Sequence, residues 1–286
     1  MAISNMDQVA AAMAVGQKFR FTKSYSYNEQ PGVPISYWAD GQDPGTVTTG
    51  TLRPTEGSRP TLAGEVPTRA TVGALGQANP ASGKKLYLCH YSAAFKALSA
   101  AGTPGCLAWL DRLWHNYNCL TNVTVDTSFV ATADVDRPNG TDPNELWAEF
   151  DGGYGSTPSV LTVKYTNTAG TTGRTATLAL PAGPQSGSAS VGMFRIQLEA
   201  GDTGVRRPTS YFFTPSTGGA FNFAVVVARP VTADLHALVV GVSSLYDFAS
   251  LGMPEVYPDA CLFAVGHTGN TVAHFWRGHL GFMEEA

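Results

Sequence analysis

Six carboxylates lie close together in the sequence and form its densest group of side chains with chemical potential. They are Asp134, Asp136, Asp142, Glu145, Glu149 and Asp151. Arg137 is the one cation within the stretch. Carboxylates at this density can bind Ca²⁺, and two of them can serve as acid and base when they meet across a glycosidic bond. Both readings stay open at the level of the sequence, and neither is required by it.

The spacing from the first of these carboxylates resembles a calcium-binding loop but departs from it at two positions. Pro138 stands where the loop needs an oxygen ligand, and Asn139 stands where it needs glycine for a sharp turn. This excludes an EF-hand. The candidate ligands of an irregular calcium site are Asp134, Asp136, Asp142 and Glu145. The alternative is a solvent-exposed acidic loop with an Asn-Gly turn.

Other constellations with catalytic potential fail on spacing. Residues 241–245 approach the turn around a nucleophilic serine but lack its second glycine. Gly76 and Gly83 are too far apart for a phosphate-binding loop. His274 and His279 differ by an odd number of positions, so on one strand they would face opposite sides. We therefore expect no enzyme and no cofactor.

The composition indicates a globular chain without a strongly charged face. It has 286 residues, of which 43% are hydrophobic and 14% are charged, so it can bury a sizeable core. The net charge is −4 and the basic residues are spread out, which argues against a nucleic-acid partner. No apolar run is long enough to span a membrane, and the first residues lack the basic start of a signal peptide. We expect synthesis in the cytosol.

The cysteines are typical of a chain made in a reducing compartment. Cys89, Cys106, Cys119 and Cys261 stand far apart and form no C-x-x-C pair. A chain of this length does not need disulfides to fold. We expect four buried thiols.

The N-terminal region divides into a helix and an extended part. Residues 4–15 are predicted to form a short helix whose apolar positions must dock on another surface. From about residue 19 to 70, aromatic residues without helical spacing alternate with turn signals. Such a segment is predicted to run as an arm over its own domain or a neighbouring subunit. The candidate interface residues are Met6, Val9, Met13, Phe19, Phe21, Tyr37, Trp38, Tyr211 and Phe212.

The remainder of the chain is dominated by patterns of period two. Alternation is clearest over residues 119–129, and residues 161–166 and 174–180 flank a Gly-rich loop as the arms of a hairpin. Residues 106–115 fit either a helix or a strand buried on both faces, and we favour the strand. Short strands without intervening helices predict an all-β fold, an antiparallel jelly-roll or Greek-key-like sandwich. We divide the chain into a helix and extended arm, 1–79, and a β-sandwich domain, 80–286.

Four phrases of the sequence resemble segments of a family of tailed-bacteriophage virion structural proteins. They are Asp-Arg-Leu-Trp-His-Asn at 111–116, Tyr-Thr-Asn-Thr-Ala-Gly-Thr-Thr-Gly-Arg-Thr at 165–175, Ala-Gly-Asp-Thr-Gly-Val at 200–205 and Met-Pro-Glu-Val-Tyr-Pro-Asp-Ala-Cys-Leu at 253–262. The opening Met-Ala-Ile-Ser is similar as well. The phrases follow in order along nearly the whole chain. The resemblance transfers no catalytic residue.

The resemblance implies a non-enzymatic virion component, and we expect a decoration or cement protein that stabilises the head. The alternatives are a neck- or tail-associated protein, a receptor or glycan-binding module that stacks sugar on exposed aromatics, and a depolymerase that uses the acidic loop. The implied partners are the major capsid protein or neighbouring head and neck subunits. A homo-oligomer such as a trimer would cover exposed sheet edges. The implied location is the virion, assembled in the bacterial host cytoplasm. The loops of the second and third phrases are expected to be exposed tips.

Overall fold

The computed structural model describes most of the chain as antiparallel strands with two short helices. It describes residues 6–25, 33–37, 64–71, 74–97, 105–117, 119–130, 133–135, 137, 143–150, 153–183, 192–232, 235–237, 243–268 and 274–285. The elements are α1 (Met6–Val15), β1 (Lys18–Tyr25), β2 (Ile35–Ser36), β3 (Leu86–Ala97), β4 (Gly105–His115), β5 (Cys119–Leu120), β6 (Thr127–Ser128), β7 (Glu145–Phe150), β8 (Ser159–Asn167), β9 (Arg174–Leu180), β10 (Gly192–Ile196), β11 (Val205–Thr214), β12 (Asn222–Pro230), β13 (Leu235–Ala237), β14 (Ser243–Tyr246), α2 (Phe248–Leu251), β15 (Glu255–Val256), β16 (Leu262–Thr268) and β17 (His274–Glu284).

The strands form three sheets. The central sheet has the order β10-β7-β12-β4-β16-β2, with β5 paired to β12 and β13 paired to β4. A second sheet has the order β1-β17-β3-β14, with β15 paired to β3, and a third has the order β6-β11-β8-β9. The named pairings are antiparallel, so the expected all-β, antiparallel sandwich with a short N-terminal helix is confirmed.

Both smaller sheets pack against the same face of the central sheet. Val227 of β12 belongs to a core shared with the β6-β11-β8-β9 sheet. Arg229 lies two residues after Val227 on the same strand and pairs with Asp111 of β4. Asp111 in turn pairs with Leu262 of β16. Because directly paired residues point to the same side, Leu262 lies on the face of Val227. Leu262 belongs to the core shared with the β1-β17-β3-β14 sheet, so the molecule is two sandwiches that share one sheet.

A β-bulge in β4 marks the boundary between the two sandwiches. Val227 and Ala228 are consecutive on β12, but they pair with Trp114 and Arg112, which leaves Leu113 as the extra residue. Leu113 and Trp114 are buried in the core under the four-stranded sheet. Trp109, earlier on the same strand, is buried in the other core. The single strand β4 therefore serves both halves.

The opposite face of the central sheet is also buried. Ala108 and Leu110 of β4 alternate with the residues of the first core and pack with Phe263 and Val265 of β16. This explains why β4 is buried at all eleven positions. The favoured strand over 106–115 is confirmed, and its two-sided burial is the reason that its sequence lacks alternation.

The predicted alternation gave one correct hairpin and one wrong strand. Strands β8 and β9 form the predicted hairpin. Residues 119–129 do not form one strand: β5 and β6 have two residues each and are separated by a turn. The Thr121 hydroxyl donates to the Gly219 carbonyl and accepts from the Phe221 amide, which holds the chain in that turn. Side-chain bonds of this kind compete with a continuous ladder.

The described part of the predicted arm lies within the sheets. Strand β1 pairs with β17 along its whole length, from Lys18 opposite Gly281 to Tyr25 opposite His274. Strand β2 pairs with β16. The predicted helix is confirmed as α1, and it docks on this chain itself. The boundary at residue 80 remains a prediction, but strands on both sides of it share the same sheets.

Two further expectations concern cysteines and membrane spans. All four cysteines are buried free thiols, as predicted. Burial raises the pKa of the Cys119 thiol to about 12, so this thiol is inert at neutral pH. In the part of the chain that the structure describes, no helix has the length and apolar character needed to cross a membrane.

Candidate functional site

The four phrases that carry the family resemblance meet in pairs. The phrase at 111–116 contacts the phrase at 253–262, because the Asp111 carboxylate accepts from the Cys261 amide and the Cys261 carbonyl accepts from the Arg112 amide. The phrase at 165–175 contacts the phrase at 200–205 through Asp202. Two polar clusters result. The junction cluster comprises Asp111, Arg112, His115, Arg137 and Glu149, and the tip cluster comprises Tyr165, Asn167, Arg174, Glu199 and Asp202.

Arg112 is the centre of the junction cluster. Its Nη2 donates to Glu149 Oε2 at 2.7 Å, and its Nε donates to His115 Nδ1 at 2.8 Å. The guanidinium carbon lies 5.2 Å from the centre of the Phe263 ring. The side chains of Arg112 and Glu149 are 0% and 3% exposed. A charged pair buried to this extent requires several hydrogen bonds, and the bulge in β4 directs Arg112 to them.

His115 is a hydrogen-bonding partner of Arg112 in this cluster. Because Nδ1 accepts from Arg112, the ring proton of a neutral His115 lies on Nε2. That nitrogen is 3.8 Å from Glu65 Oε1. The interaction with His115 lowers the pKa of Glu65 against the opposing effect of burial. His115 therefore links segment 64–71 to the central sheet.

Asp111 and Arg137 connect the cluster to two further segments. Asp111 Oδ1 accepts from the Cys261 amide at 2.8 Å and lies 3.4 Å from Arg137 Nη2. Arg137 Nη2 also donates to the carbonyls of Pro67 and Arg112, at 2.6 and 3.2 Å. Burial raises the pKa of Asp111, and the nearby guanidinium of Arg137 only partly offsets this. The arrangement joins β4 to the chain at Pro67 and at Cys261.

Asp202 is the hub of the tip cluster. It accepts from Tyr165 Oη at 2.5 Å, from Asn167 Nδ2 at 2.7 Å and from Arg174 Nε at 2.9 Å. Burial opposes its ionisation, but these hydrogen bonds and the charge of Arg174 outweigh it and lower the pKa of Asp202. Burial and the bond to Asp202 raise the pKa of Tyr165 to about 12. The cluster fixes the turn at 200–204 beside the β8–β9 loop.

The outer ends of these two loops are exposed, as predicted. Residues 169–173 of the β8–β9 loop are exposed, as are Gly201 and Thr203 of the neighbouring turn. Gly170 and Gly173 have φ values of 86° and 73°, a conformation that favours glycine. The exposed surface consists of small, uncharged side chains over a rigid charged cluster.

The described calcium candidates are engaged by arginines. Asp134 forms ion pairs with Arg206 and Arg207. Glu145 forms an ion pair with Arg195 at 3.1 Å. The other two candidates, Asp136 and Asp142, lie outside the described residues. Among the residues that are described, no three His, Cys, Asp or Glu side chains are grouped to hold a metal ion.

Three of the predicted interface aromatics belong to the core of the chain. Phe21, Tyr37 and Tyr211 are 1%, 0% and 1% exposed, so their side chains cannot contact a neighbour or stack a sugar. Each lies on a strand or beside one: Tyr37 Oη accepts from Trp276 Nε1 at 3.0 Å, and Tyr211 Oη accepts from the Leu120 amide at 3.0 Å. Aromatic residues without helical spacing cannot be divided between arm and core from sequence alone.

The other interface candidates divide into three groups. Val9 is buried, and Met13 is half-buried, against Cys89 and Met283. Phe19 and Phe212 are half-buried and retain some exposed surface. Trp38 and the side chain of Met6 lie outside the part of the chain that the structure describes.

Sequence reasoning missed a groove beside α1. It has a volume of about 560 Å³ and lies between the end of α1 and the strands β1, β17 and β3. Its lining combines apolar residues with Lys18, Arg20, His90 and His279. The only sequence signal is the basic pair at 18 and 20 directly after the helix, and the histidines join it through strand pairings that one sequence does not reveal.

Comparisons with known proteins give weak similarities only. No protein-family model and no curated protein matches the sequence. Among solved structures, the chain is similar to T=1 particles derived from infectious bursal virus, with 11% identity over 93% of this chain and 77% of that chain and a TM-score of 0.22. The VP2 subviral particle of infectious bursal disease virus is 10% identical over 94% of this chain and 80% of that chain, with a TM-score of 0.22. The T13 particle of that virus is 9% identical over 95% of this chain and 78% of that chain, with a TM-score of 0.23. At these TM-scores the similarities carry no argument.

Proposed function

We propose that this chain is a non-enzymatic structural component of a tailed-phage virion and acts as a decoration protein that stabilises the head. The observation that carries the proposal is the pairwise contact of the four phrases. The first pair meets through the backbone of Cys261, and the second pair meets through the ion pair of Arg174 with Asp202. The residues that carry the family resemblance thus stabilise the fold. This fits a structural subunit, which functions through the shape of its surface.

The architecture supports the same proposal. Two sandwiches share one sheet, and the four cysteines are buried free thiols. The described surface includes large apolar side chains, with Val15, Val125 and Leu245 exposed to 88%, 73% and 62%. Exposed apolar side chains are suited to burial against neighbouring subunits. A homo-oligomer or a contact with the major capsid protein would supply that burial.

A reconstitution experiment tests the decoration role. Phage particles assembled without this chain are compared with complete particles by the temperature at which they release their DNA. We expect a lower release temperature without the chain and recovery after addition of the purified, folded chain. Addition of the chain after thermal unfolding is the control. An unchanged release temperature would overturn the decoration role, and failure of heads to join tails would indicate a neck or tail protein instead.

A further inference from the structure

The groove beside α1 has one wall that is held in place by close packing. A Cβ atom at Gly16 would collide with the carbonyl oxygen of Phe282, so glycine is needed for this approach of the helix end to β17. The Phe282 amide donates to the Gln17 carbonyl at 2.8 Å. The Gln17 side chain exchanges two hydrogen bonds with the backbone of Ala78. The groove is therefore formed in the free chain and does not need a partner to shape it.

Four basic side chains lie on one face of the sheet at this groove. Lys18 pairs with Gly281, which pairs with His90, and Arg20 pairs with His279. Since directly paired residues point to the same side, all four side chains share the outer face. Lys18 and Arg20 are exposed, and the described residues offer them no ion-pair partner. Exposed cations at a groove attract a negatively charged ligand.

Asp247, which raises the pKa of His90, accepts hydrogen bonds from the first turn of α2. Asp247 raises the pKa of His90, while burial and the neighbouring His279 lower it by more. The Asp247 carboxylate accepts from the amides of Ala249 and Ser250 as the cap of α2. Among the described residues it forms no ion pair with Lys18 or Arg20. The positive rim of the groove is therefore available to a ligand.

The remainder of the groove is apolar. Met13 and Ala14 of α1 line it together with Gly281 of β17, whereas the rings of Phe19 and Phe282 pack in the core on the other face of the sheet. The Cys89 thiol donates to the Gly281 carbonyl at 3.2 Å, so it does not offer a free polar group. An apolar lining of this size selects against a ligand that is only an anion. It requires aliphatic or aromatic groups between the charges.

We propose that this groove binds an extended acidic peptide segment of a partner protein, with carboxylates on the basic rim and aliphatic side chains on the apolar lining. Charge complementarity carries the choice of occupant, and the apolar lining argues for a peptide over a phosphate-rich ligand. The inference does not depend on the proposed virion role, because any partner with such a segment would fit.

The test measures the binding of defined peptides to the full chain by fluorescence anisotropy. The probe is a fluorescein-labelled hexapeptide of alternating glutamate and leucine, and the comparison peptide has glutamine in place of glutamate. We expect the glutamate peptide to bind about tenfold more tightly, since each exposed charge pair contributes a fraction of a kcal/mol. Equal binding of the two peptides, or no binding of the acidic one, overturns the proposal.

Two variants locate the binding at the groove. K18E/R20E reverses the rim, and K84E/R195E reverses two exposed cations elsewhere and changes the net charge equally. We expect about a tenfold loss of affinity in the first variant and less than a twofold change in the second. Ala14→Trp fills the groove from an exposed helix position without a change of charge, and it should also abolish binding. Retained binding in both K18E/R20E and Ala14→Trp overturns the assignment to this groove.

Discussion

Asp111 in the junction cluster and Asp202 in the tip cluster are the same residue type in opposite environments. Asp111 is fully buried, and its Oδ2 has no hydrogen-bond partner among the described residues. Asp202 has donors to both oxygens, from Tyr165, Asn167 and Arg174. Burial raises the pKa of Asp111, whereas hydrogen bonds lower that of Asp202 against the effect of burial. At Asp111 the effect of burial outweighs the nearby cations and the donated hydrogen bonds, whereas at Asp202 the hydrogen bonds and Arg174 outweigh burial.

The two clusters also differ in what they hold. The junction cluster joins β4, β7 and segment 64–71 at the bulge between the sandwiches. The tip cluster fixes two loops at one end of the four-stranded sheet. Loss of the junction cluster should therefore affect global stability, and loss of the tip cluster should act more locally.

The largest expected effect follows removal of the Arg112 charge. In Arg112→Met, Glu149 is left as a buried carboxylate without its cation, so we expect a loss of about 3–5 kcal/mol in the free energy of unfolding. Urea denaturation followed by tryptophan fluorescence measures it. The double variant Arg112→Met/Glu149→Leu should recover much of the loss. A single variant within about 1 kcal/mol of the parent would contradict the role given to this pair.

A smaller effect is expected at the tip. Asp202→Ala removes the shared acceptor of three donors, and hydrogen bonds to a charged group contribute about 1.5–3 kcal/mol. We expect a loss in that range by urea denaturation, with Thr203→Ala as the neighbouring control that leaves the cluster intact. If both variants unfold at the same urea concentration, the cluster is not a stabilising hub.

The dependence of stability on pH should have opposite signs at the two aspartates. The lowered pKa of Asp202 contributes stability that is present at neutral pH and is lost as the pH falls from about 5 to 3. The raised pKa of Asp111 gives a contribution that falls as the pH rises through the acidic range. The stability difference between parent and Asp202→Asn should therefore shrink towards pH 3, and that between parent and Asp111→Asn should grow. If the two stability differences changed with pH in the same direction, the expected contrast between Asp111 and Asp202 would be wrong.

The smallest effect is expected at an exposed ion pair. Lys164 and Asp126 pair on the outer face of the four-stranded sheet, with side chains 39% and 42% exposed. Lys164→Ala should change the free energy of unfolding by less than about 0.5 kcal/mol. This variant is the reference for the two clusters. If it lost as much free energy of unfolding as Asp202→Ala, the burial of a contact would not determine how much that contact stabilises the fold.

Sequence alternation is clearest for elements that have one buried and one exposed face. The β8–β9 hairpin is such a case, because its alternation follows directly from burial of one side. Strand β11 escaped detection because Pro208 interrupts its pattern, and the register shifts between Pro208 and Ser210. Strand β7 was hidden inside the acidic stretch, since Glu149 reads as a solvent-exposed acid until its partner is known.

The two clusters lay beyond sequence reasoning for a related reason. Arg112 and Glu149 are 37 positions apart, and their contact depends on the single extra residue Leu113. One inserted residue reverses the faces of a strand, and no local pattern reveals it. The pairwise contact of the four phrases is likewise a property of the fold and not of any one phrase.

The number of copies per particle tests the central claim most directly. Purified phage particles are digested, and this chain is quantified against the major capsid protein by mass spectrometry with isotope-labelled peptides. A decoration protein predicts a copy number comparable with that of the major capsid protein. Absence of the chain from purified particles would contradict the proposed role as a virion component.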